Sequence, residues 1–445
     1  MKRTMTILML VITACSPTIS VEENTMNSHI DKAEQLFKQG HFPEAQAEYL
    51  KALQQDPNNN QLLHKLGLLA LWENDTKQAI DYLLSSYENS NWLGRRWPLR
   101  SQLTYQIGSA YQRRDDYASA AKWYARAVGP WAIGPLKMIQ GLQRHAEAFA
   151  GTTPYQITGD NISELPFVML DPLPVVEVSI NGQGPYEFFI DTGGADVILR
   201  GELAQEFGLP RHGEITGTFA GGKEGKIILS KLEQLGLGGI DIHNLPVHLH
   251  KLEGVDEIFQ RKIHGVIGTS LLRHFYASID YRRQKLVLRQ KNSGNRKLLD
   301  EMASDAINIP FWLIETHMIM ARGRINDLPE TLLFVDTGLA DRGFLISQTT
   351  ADAAGLSFDW SGARESSGGG GKIRELYFTL DQVTLGTGVN TITQQAVKAS
   401  IHEGEHPIFK GILGFEVGGL ISHDFFRTTR LSFDFDRMQL LIQAP

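Results

Sequence analysis

An internal duplication constrains this chain more than any other feature of its sequence. In the first copy, Val175 to Ile180 reads as a strand, Asn181-Gly182 signals a turn, and Phe188-Phe189-Ile190 runs into Asp191-Thr192-Gly193. In the second, Met318 to Ile325 reads as a strand, Asn326-Asp327 turns, and Leu333-Phe334-Val335 runs into Asp336-Thr337-Gly338. The interval from Ile180 to Asp191 equals that from Ile325 to Asp336. Downstream stand two glycine-bracketed apolar pairs, Gly265-Val266-Ile267-Gly268 and Gly411-Ile412-Leu413-Gly414. The spacing from Asp191 to Gly268 matches that from Asp336 to Gly414 to within a single position. Each copy then closes on a strand pattern, Ser278 through Leu288 and Ser432 through Ile442. Repetition on this scale predicts two like, β-rich halves.

One Asp-Thr-Gly triplet carries little information. Two, each following an apolar strand and preceding a glycine-bracketed pair, resemble the retropepsin-like aspartic proteases. The resemblance covers roughly residues 165–445: all-β lobes at 165–292 and 307–445, joined by a linker at 293–306, forming a pseudo-twofold unit. It implies one Asp-Thr-Gly per lobe and a shared site, with Asp191 and Asp336 as the catalytic pair and no metal or organic cofactor. It also implies that Thr192 and Thr337 cross-link the two loops, while Gly193 and Gly338 let them approach. Glycine-rich stretches at Gly217 to Gly225 and Gly368 to Gly371 fall where the family has substrate-covering flaps. Gly221, Gly222, Gly369 and Gly370 are expected at their tips.

The chemistry suits these residue types. Two carboxylates about 3 Å apart cannot both ionise, so they share a proton. One can then take a proton from water while the other donates to a carbonyl oxygen. Such a pair titrates as a unit.

Two departures stand out. The family commonly places Ala, Ser or Thr after the triplet, whereas this chain has Gly194 and Leu339, so no hydroxyl is offered to the carboxylates there. The stretch from Gly414 to Asp434 is also longer than that from Gly268 to Asp280. A non-catalytic, peptide-binding scaffold built on degenerate lobes is therefore the alternative reading, as is a homodimer in which each lobe pairs with its own twin.

Ahead of the duplicated half, helical periodicity recurs from about residue 29. Phe42, Ala45, Tyr49 and Ala52 are followed by Gly67, Ala70, Ala79 and Leu83, then by Gly108, Tyr111, Tyr117, Ala120 and Tyr124. Ala45 and Ala79 stand one tetratricopeptide period apart, roughly 34 residues. Ala79 to Ala120 is a longer interval, and it holds Trp92, Arg95, Arg96 and Trp97. The pattern resembles tetratricopeptide repeats over 29–135, an all-α solenoid. Such a stack offers either a docking surface for a protein partner or substrate, or a rigid spacer. Within the linker 136–164, Leu136 to Ala150 reads as a helix whose packing partner the sequence does not name.

Lys2 and Arg3 precede a short apolar run, Met5 to Ile12, and then Ile12-Thr13-Ala14-Cys15. This resembles a bacterial lipoprotein signal over 1–15, implying lipidation of Cys15 and a tether at 16–28. Ser16, rather than aspartate, follows the cysteine, which points to the periplasmic face of the outer membrane. Cys15 is the single cysteine, so no intramolecular disulfide can form. A formal charge of −7 argues against a nucleic-acid partner.

His402-Glu403-Gly404-Glu405-His406 fits the pattern His-Glu-x-x-His, but Gly404 and Pro407 oppose the helix that a zinc site would need. Gly368 to Lys372 is followed by Ile373 where a phosphate loop needs Ser or Thr.

Overall fold

The computed structural model describes residues 21–90, 97–128, 136–218, 224–368, 371–404, 406–409 and 414–443. Cys15, Gly221, Gly222, Gly369, Gly370, the Trp92–Arg96 stretch and Gly411 to Leu413 lie outside the described residues.

Three helical hairpins come first: α1 (Val21–Lys38) with α2 (Phe42–Gln55), α3 (Asn60–Trp72) with α4 (Thr76–Asn89), and α5 (Trp97–Arg113) with α6 (Tyr117–Ala127). Residues 21–28, expected as a tether, are the first turns of α1. Asp75 and Asp116 cap α4 and α6 by accepting main-chain N–H bonds from Gln78 and Ser119. Ala45, Ala79 and Ala120 are fully buried, as close helix packing requires. The helix α7 (Leu136–Glu147) packs on α6 through Ile139, Tyr117 and Tyr124.

The turn inside each hairpin has one left-handed residue: Gly40 (φ 73°), Asn74 (φ 60°) and Asp115 (φ 61°). All three turns seat on the β-rich unit. Gly40 lies against Leu332, the Asn74 amide donates to the Phe435 carbonyl at 2.9 Å, and Asp115 meets His274 at 2.9 Å. The repeats thus lie edge-on along the β-rich unit and are fixed to it.

The first lobe runs β1 (Gln156–Gly159), β2 (Ile162–Pro166), β3 (Val175–Ile180), β4 (Gln183–Ile190), β5 (Val197–Arg200), α8 (Gly201–Glu206), β6 (Gly213–Thr218), β7 (Glu224–Leu237), β8 (Ile240–His250), α9 (Val255–Phe259), β9 (Gly265–Ile267), α10 (Thr269–Leu272), β10 (Phe275–Asp280) and β11 (Lys285–Gln290). Residues 293–306, read as a linker, hold the helix α11 (Ser293–Ser304), capped by Asn292. The second lobe runs β12 (Ile307–Ile314), β13 (Met318–Ile325), β14 (Thr331–Val335), β15 (Phe344–Ile346), α12 (Gln348–Ala353), β16 (Arg364–Gly368), β17 (Gly371–Thr387), β18 (Asn390–His402), β19 (Val417–Ile421), β20 (Arg430–Asp434) and β21 (Gln439–Gln443).

The two lobes share one topology: the order β8-β5-β9-β4-β3-β7-β6 in the first matches β18-β15-β19-β14-β13-β17-β16 in the second. Strands β2-β11-β10-β20-β21-β12 form a six-stranded sheet between the lobes. At its centre β10 pairs with β20, Ser278 opposite Ser432 with their hydroxyls 2.8 Å apart, which marks the pseudo-twofold axis. Strand β1 falls in the stretch read as linker and β2 straddles its end, yet they pair with β8 and β11 and belong to the sheets.

The outer apolar faces of the lobes are covered differently. In the first lobe Val255 and Phe259 of α9 cover Val175, Phe189 and Val266. In the second, Phe37, Phe42 and Trp72 of the repeats, with Phe415, cover Met320, Phe334 and Leu420.

Candidate active site

Strand β4 delivers Asp191 and β14 delivers Asp336, each into a loop at the edge of a parallel pairing. The Asp191 N–H donates to the Ile267 carbonyl on β9 at 3.0 Å, and the Asp336 N–H donates to the Ile421 carbonyl on β19 at 2.9 Å. This corrects the sequence register. The counterpart of Gly265-Val266-Ile267-Gly268 is Gly419-Leu420-Ile421-Ser422, not Gly411 to Gly414. The interval from Ile267 to Asp280 equals that from Ile421 to Asp434, so the extra length of the second lobe falls ahead of β19 rather than after it.

The loops interlock across the pseudo-twofold axis. The Thr192 N–H donates to the Thr337 hydroxyl at 2.9 Å, and the Thr337 N–H donates to the Thr192 hydroxyl at 3.0 Å. Each hydroxyl donates onward, Thr192 to the Val335 carbonyl at 2.8 Å and Thr337 to the Ile190 carbonyl at 3.5 Å. Both threonines are fully buried, so every one of these groups would cost desolvation free energy if left unpaired. Gly193 and Gly338 lie beneath the opposite carboxyl. A Cβ on Gly193 would come within 2.4 Å of Asp336 Oδ1, and one on Gly338 within 2.3 Å of Asp191 Oδ1. No side chain fits at either place.

Asp191 and Asp336 are half-buried and face each other across the two loops, each carboxyl lying over the glycine of the opposite triplet. Burial raises both pKa values, and the charge of Asp191 raises that of Asp336 further. The Gly193 N–H donates to Asp191 Oδ1 at 2.7 Å and the Gly338 N–H to Asp336 Oδ1 at 3.0 Å, which moderates the rise. Two apposed carboxyls whose pKa values are driven up in this way can share one proton and then act as base and acid together.

Family models match along the chain in the same order as the fold. The tetratricopeptide repeat model matches residues 30–91, the gag-polyprotein aspartyl protease model residues 176–274, and the aspartyl protease model residues 321–417. The chain carries tetratricopeptide repeats followed by two aspartyl protease domains. Similar solved structures include the N-terminal domain of stress-induced protein-1 from C. elegans, 20% identical with a TM-score of 0.25, covering 28% of this chain and 98% of its own. Another is the first repeat domain of Spaghetti bound to an HSP90 peptide, 19% identical with a TM-score of 0.25, covering 29% of this chain and 95% of its own. No curated protein matches the chain.

Within the protease domains, the residues after each triplet have distinct surroundings. At Gly194 a Cβ would sit 3.4 Å from the Asp191 carbonyl oxygen and 3.6 Å from Oδ2, so a small side chain fits. Leu339 turns into the apolar cluster around Trp72 and Phe415, which accounts for its size.

Sequence reasoning missed three groups around the pair. Thr269 donates its hydroxyl to the Thr192 carbonyl at 2.9 Å, a partner that its place after Gly268 could have signalled. Arg342 forks onto buried Glu375 and also donates to Ser400 and Tyr377, at 2.9 and 3.1 Å. Burial opposes ionisation of Glu375, but His402, Arg342 and Tyr377 hold its pKa down to about 2. The guanidinium of Arg342 also favours the ionised form of Asp336. On the opposite lobe Asp196 pairs with His248 at 3.2 Å and accepts from Tyr155 at 3.4 Å.

His402 ends strand β18 beside Glu375, and Gly404 follows with φ 84°, so the His-Glu-x-x-His residues share no helical face. Among the described residues no cluster of three metal-ligating side chains occurs, and no helix is long and apolar enough to cross a membrane.

Proposed function

We propose that the chain is an aspartic endopeptidase whose single site is shared by Asp191 and Asp336. The observation that carries this reading is the apposition of two carboxyls, each over the glycine of the opposite triplet, in loops that interlock through Thr192 and Thr337. A water held by the pair loses a proton to the ionised carboxylate as its oxygen attacks the peptide carbonyl carbon. The protonated carboxyl gives its proton to the carbonyl oxygen, and a tetrahedral diol forms. Collapse re-forms the carbonyl, breaks the C–N bond and passes a proton to the departing amine. The hairpins β6–β7 and β16–β17 are the proposed flaps over a bound peptide, and in the sequence Gly221, Gly222, Gly369 and Gly370 fall between their strands.

The repeats are the proposed docking element for a protein substrate or partner: the protease domains take up their hairpin turns and the face with Phe37, Phe42 and Trp72, while helix residues such as Lys77 and Asp81 lie exposed outside that contact. A lipid tether at Cys15 and a site on the periplasmic face of the outer membrane complete the reading, supported by the sequence at the N-terminus.

The test is cleavage of a complex peptide library by a soluble form beginning at Ser16, from about pH 4 to 8, with new termini read by mass spectrometry. Asp191→Asn and Asp336→Asn should each lose about 10²–10⁴-fold or more of the activity. A wild type that binds peptides yet cuts none would favour the scaffold alternative. Activity that survives either single change would favour lobes that pair with their twins in a homodimer. A chelator should have no effect.

A further inference from the structure

The Asp191 loop does not rest on its own strands alone. The short helix α10 holds it from below: the Thr269 N–H donates to the Gly194 carbonyl at 2.9 Å, the Ser270 N–H to the Ala195 carbonyl at 2.8 Å, and the Thr269 hydroxyl to the Thr192 carbonyl at 2.9 Å. Three successive anchors leave little freedom to residues 192–195.

The far end of α10 is held in turn by the third repeat. Arg273 donates to the Arg113 carbonyl at 2.7 Å and lies 3.8 Å from the Asp115 carboxylate. The His274 ring spans two oxygens, the Ser270 carbonyl at 2.7 Å from Nδ1 and Asp115 Oδ2 at 2.9 Å from Nε2. Tyr155 stacks on that ring at 3.7 Å and donates its hydroxyl to Asp196, a short way along the chain from Asp191. Arg273 and His274 are largely buried, at 14% and 11% side-chain exposure, so these contacts sit in a sealed joint rather than on an open surface.

The second lobe lacks this joint. The counterpart of Arg273 is Arg427, which pairs with Asp171 and Asp424 of the β-rich unit itself. The counterpart of Thr269 is His423, which has no hydroxyl to offer the Asp336 loop. The helical repeats therefore hold the Asp191 loop through α10 and its flanking Arg273 and His274. Toward Asp336 they bond at the start of β19, where the Glu416 N–H donates to the Lys38 carbonyl at 3.0 Å, with no such side-chain joint under the Asp336 loop among the described residues.

We propose that Asp115, Arg273 and His274 are positioning residues that key the third repeat to the Asp191 loop, so that the geometry of the carboxyl pair depends on the seating of the helical module. The proposal rests on the endopeptidase reading for its consequence in catalysis, but the mechanical link does not.

Asp115 is the place to test it. Its φ of 61° suits Gly and Asn, whereas Ala would add backbone strain of its own. Asp115→Gly removes the carboxylate without that strain, and Asp115→Asn keeps an amide that can donate to His274 Nε2. In the full chain, Asp115→Gly should speed hydrogen exchange at residues 192–195 and lower kcat about tenfold, with KM within about twofold of wild type. The acid limb of the pH profile should move upward, because the Gly193 and Gly194 amides that hold Asp191 ionised ride on the loosened loop. Asp115→Asn should restore most of kcat and of the exchange protection. A fall in melting temperature alone, with exchange at 192–195, kcat and the acid limb all unchanged, would overturn the proposal. If wild type cuts nothing but Asp115→Gly still loosens residues 192–195, the link stands and the endopeptidase reading fails.

Discussion

Asp191 and Asp336 are apposed carboxyls whose pKa values both rise on folding, and this sets a sign for stability as well as for catalysis. Both carboxyls have folded pKa values above the ordinary carboxylate range, by burial first and, for Asp336, by its neighbour's charge. A folded pKa above the unfolded one means that the native state binds the proton more tightly. The stabilisation is complete below the unfolded pKa and is lost as pH rises through the folded value. Asp336→Asn removes the ionisation altogether. Its melting temperature should equal wild type near pH 4 and exceed it by about 2–4 °C near pH 8. Equal melting temperatures at both values would mean that neither burial nor the neighbouring carboxylate raises the Asp336 pKa in the folded chain. The triplets themselves were legible in the sequence because their chemistry is local: Gly193 and Gly338 must be bare, and Thr192 and Thr337 must carry hydroxyls. The supporting residue Thr269 was not, since its partner, the Thr192 carbonyl, is distant along the chain and leaves no periodic trace.

At the level of elements, period and turn chemistry located both halves, but two pairings escaped them. Gly411 to Gly414 imitates Gly265 to Gly268 in composition, and only the hydrogen bond from Asp336 to Ile421 decides for Gly419 to Ser422. The second concerns α7, whose helical period was clear while its partner was not. Besides α6, that partner is β6: a Cβ on Gly141 would meet the Glu214 carbonyl oxygen at 2.4 Å, and one on Gly213 would meet the Gly141 carbonyl at 2.3 Å. One turn on, buried His145 meets the Ser230 carbonyl on β7 at 2.8 Å. Burial drives the His145 pKa down to about 4, so its ring is neutral and its Nε2–H donates. The helix thus grips both strands of the β6–β7 stem. A Gly141→Val change must push α7 off β6, at a cost of about 1–3 kcal/mol. Native-state hydrogen exchange should then quicken over 213–218 and 224–230 while β16 and β17 keep their rates. Unchanged exchange in β6 and β7 would show that the stem holds itself.

On the scale of the whole molecule, the asymmetry between the lobes explains why the repeats and the protease domains form one body. Positions related by the duplication, Val175 with Met320 and Phe189 with Phe334, carry apolar side chains on the outer face of each sheet. The first lobe covers that face with its own α9. The second leaves it to Phe37, Phe42 and Trp72, whose rings pack edge-on against Trp312 and Phe415 at 5.2–6.1 Å. In the sequence these aromatics pass for the interior of the repeats, because an apolar residue at helical spacing does not say whether it faces a sister helix or another domain. The second lobe should therefore depend on the repeats for stability, and the first should not. Phe42 is fully buried at the centre of this contact, so Phe42→Ala should cost about 3–5 kcal/mol. That loss belongs to one lobe. Hydrogen exchange should rise across β12, β13, β14 and β19 before it rises across β3, β4 and β9, and heating should split the melt into two steps. A single cooperative melt with uniform loss of protection would mean that the six-stranded sheet around Ser278 and Ser432, rather than the repeat contact, governs the stability of the second lobe.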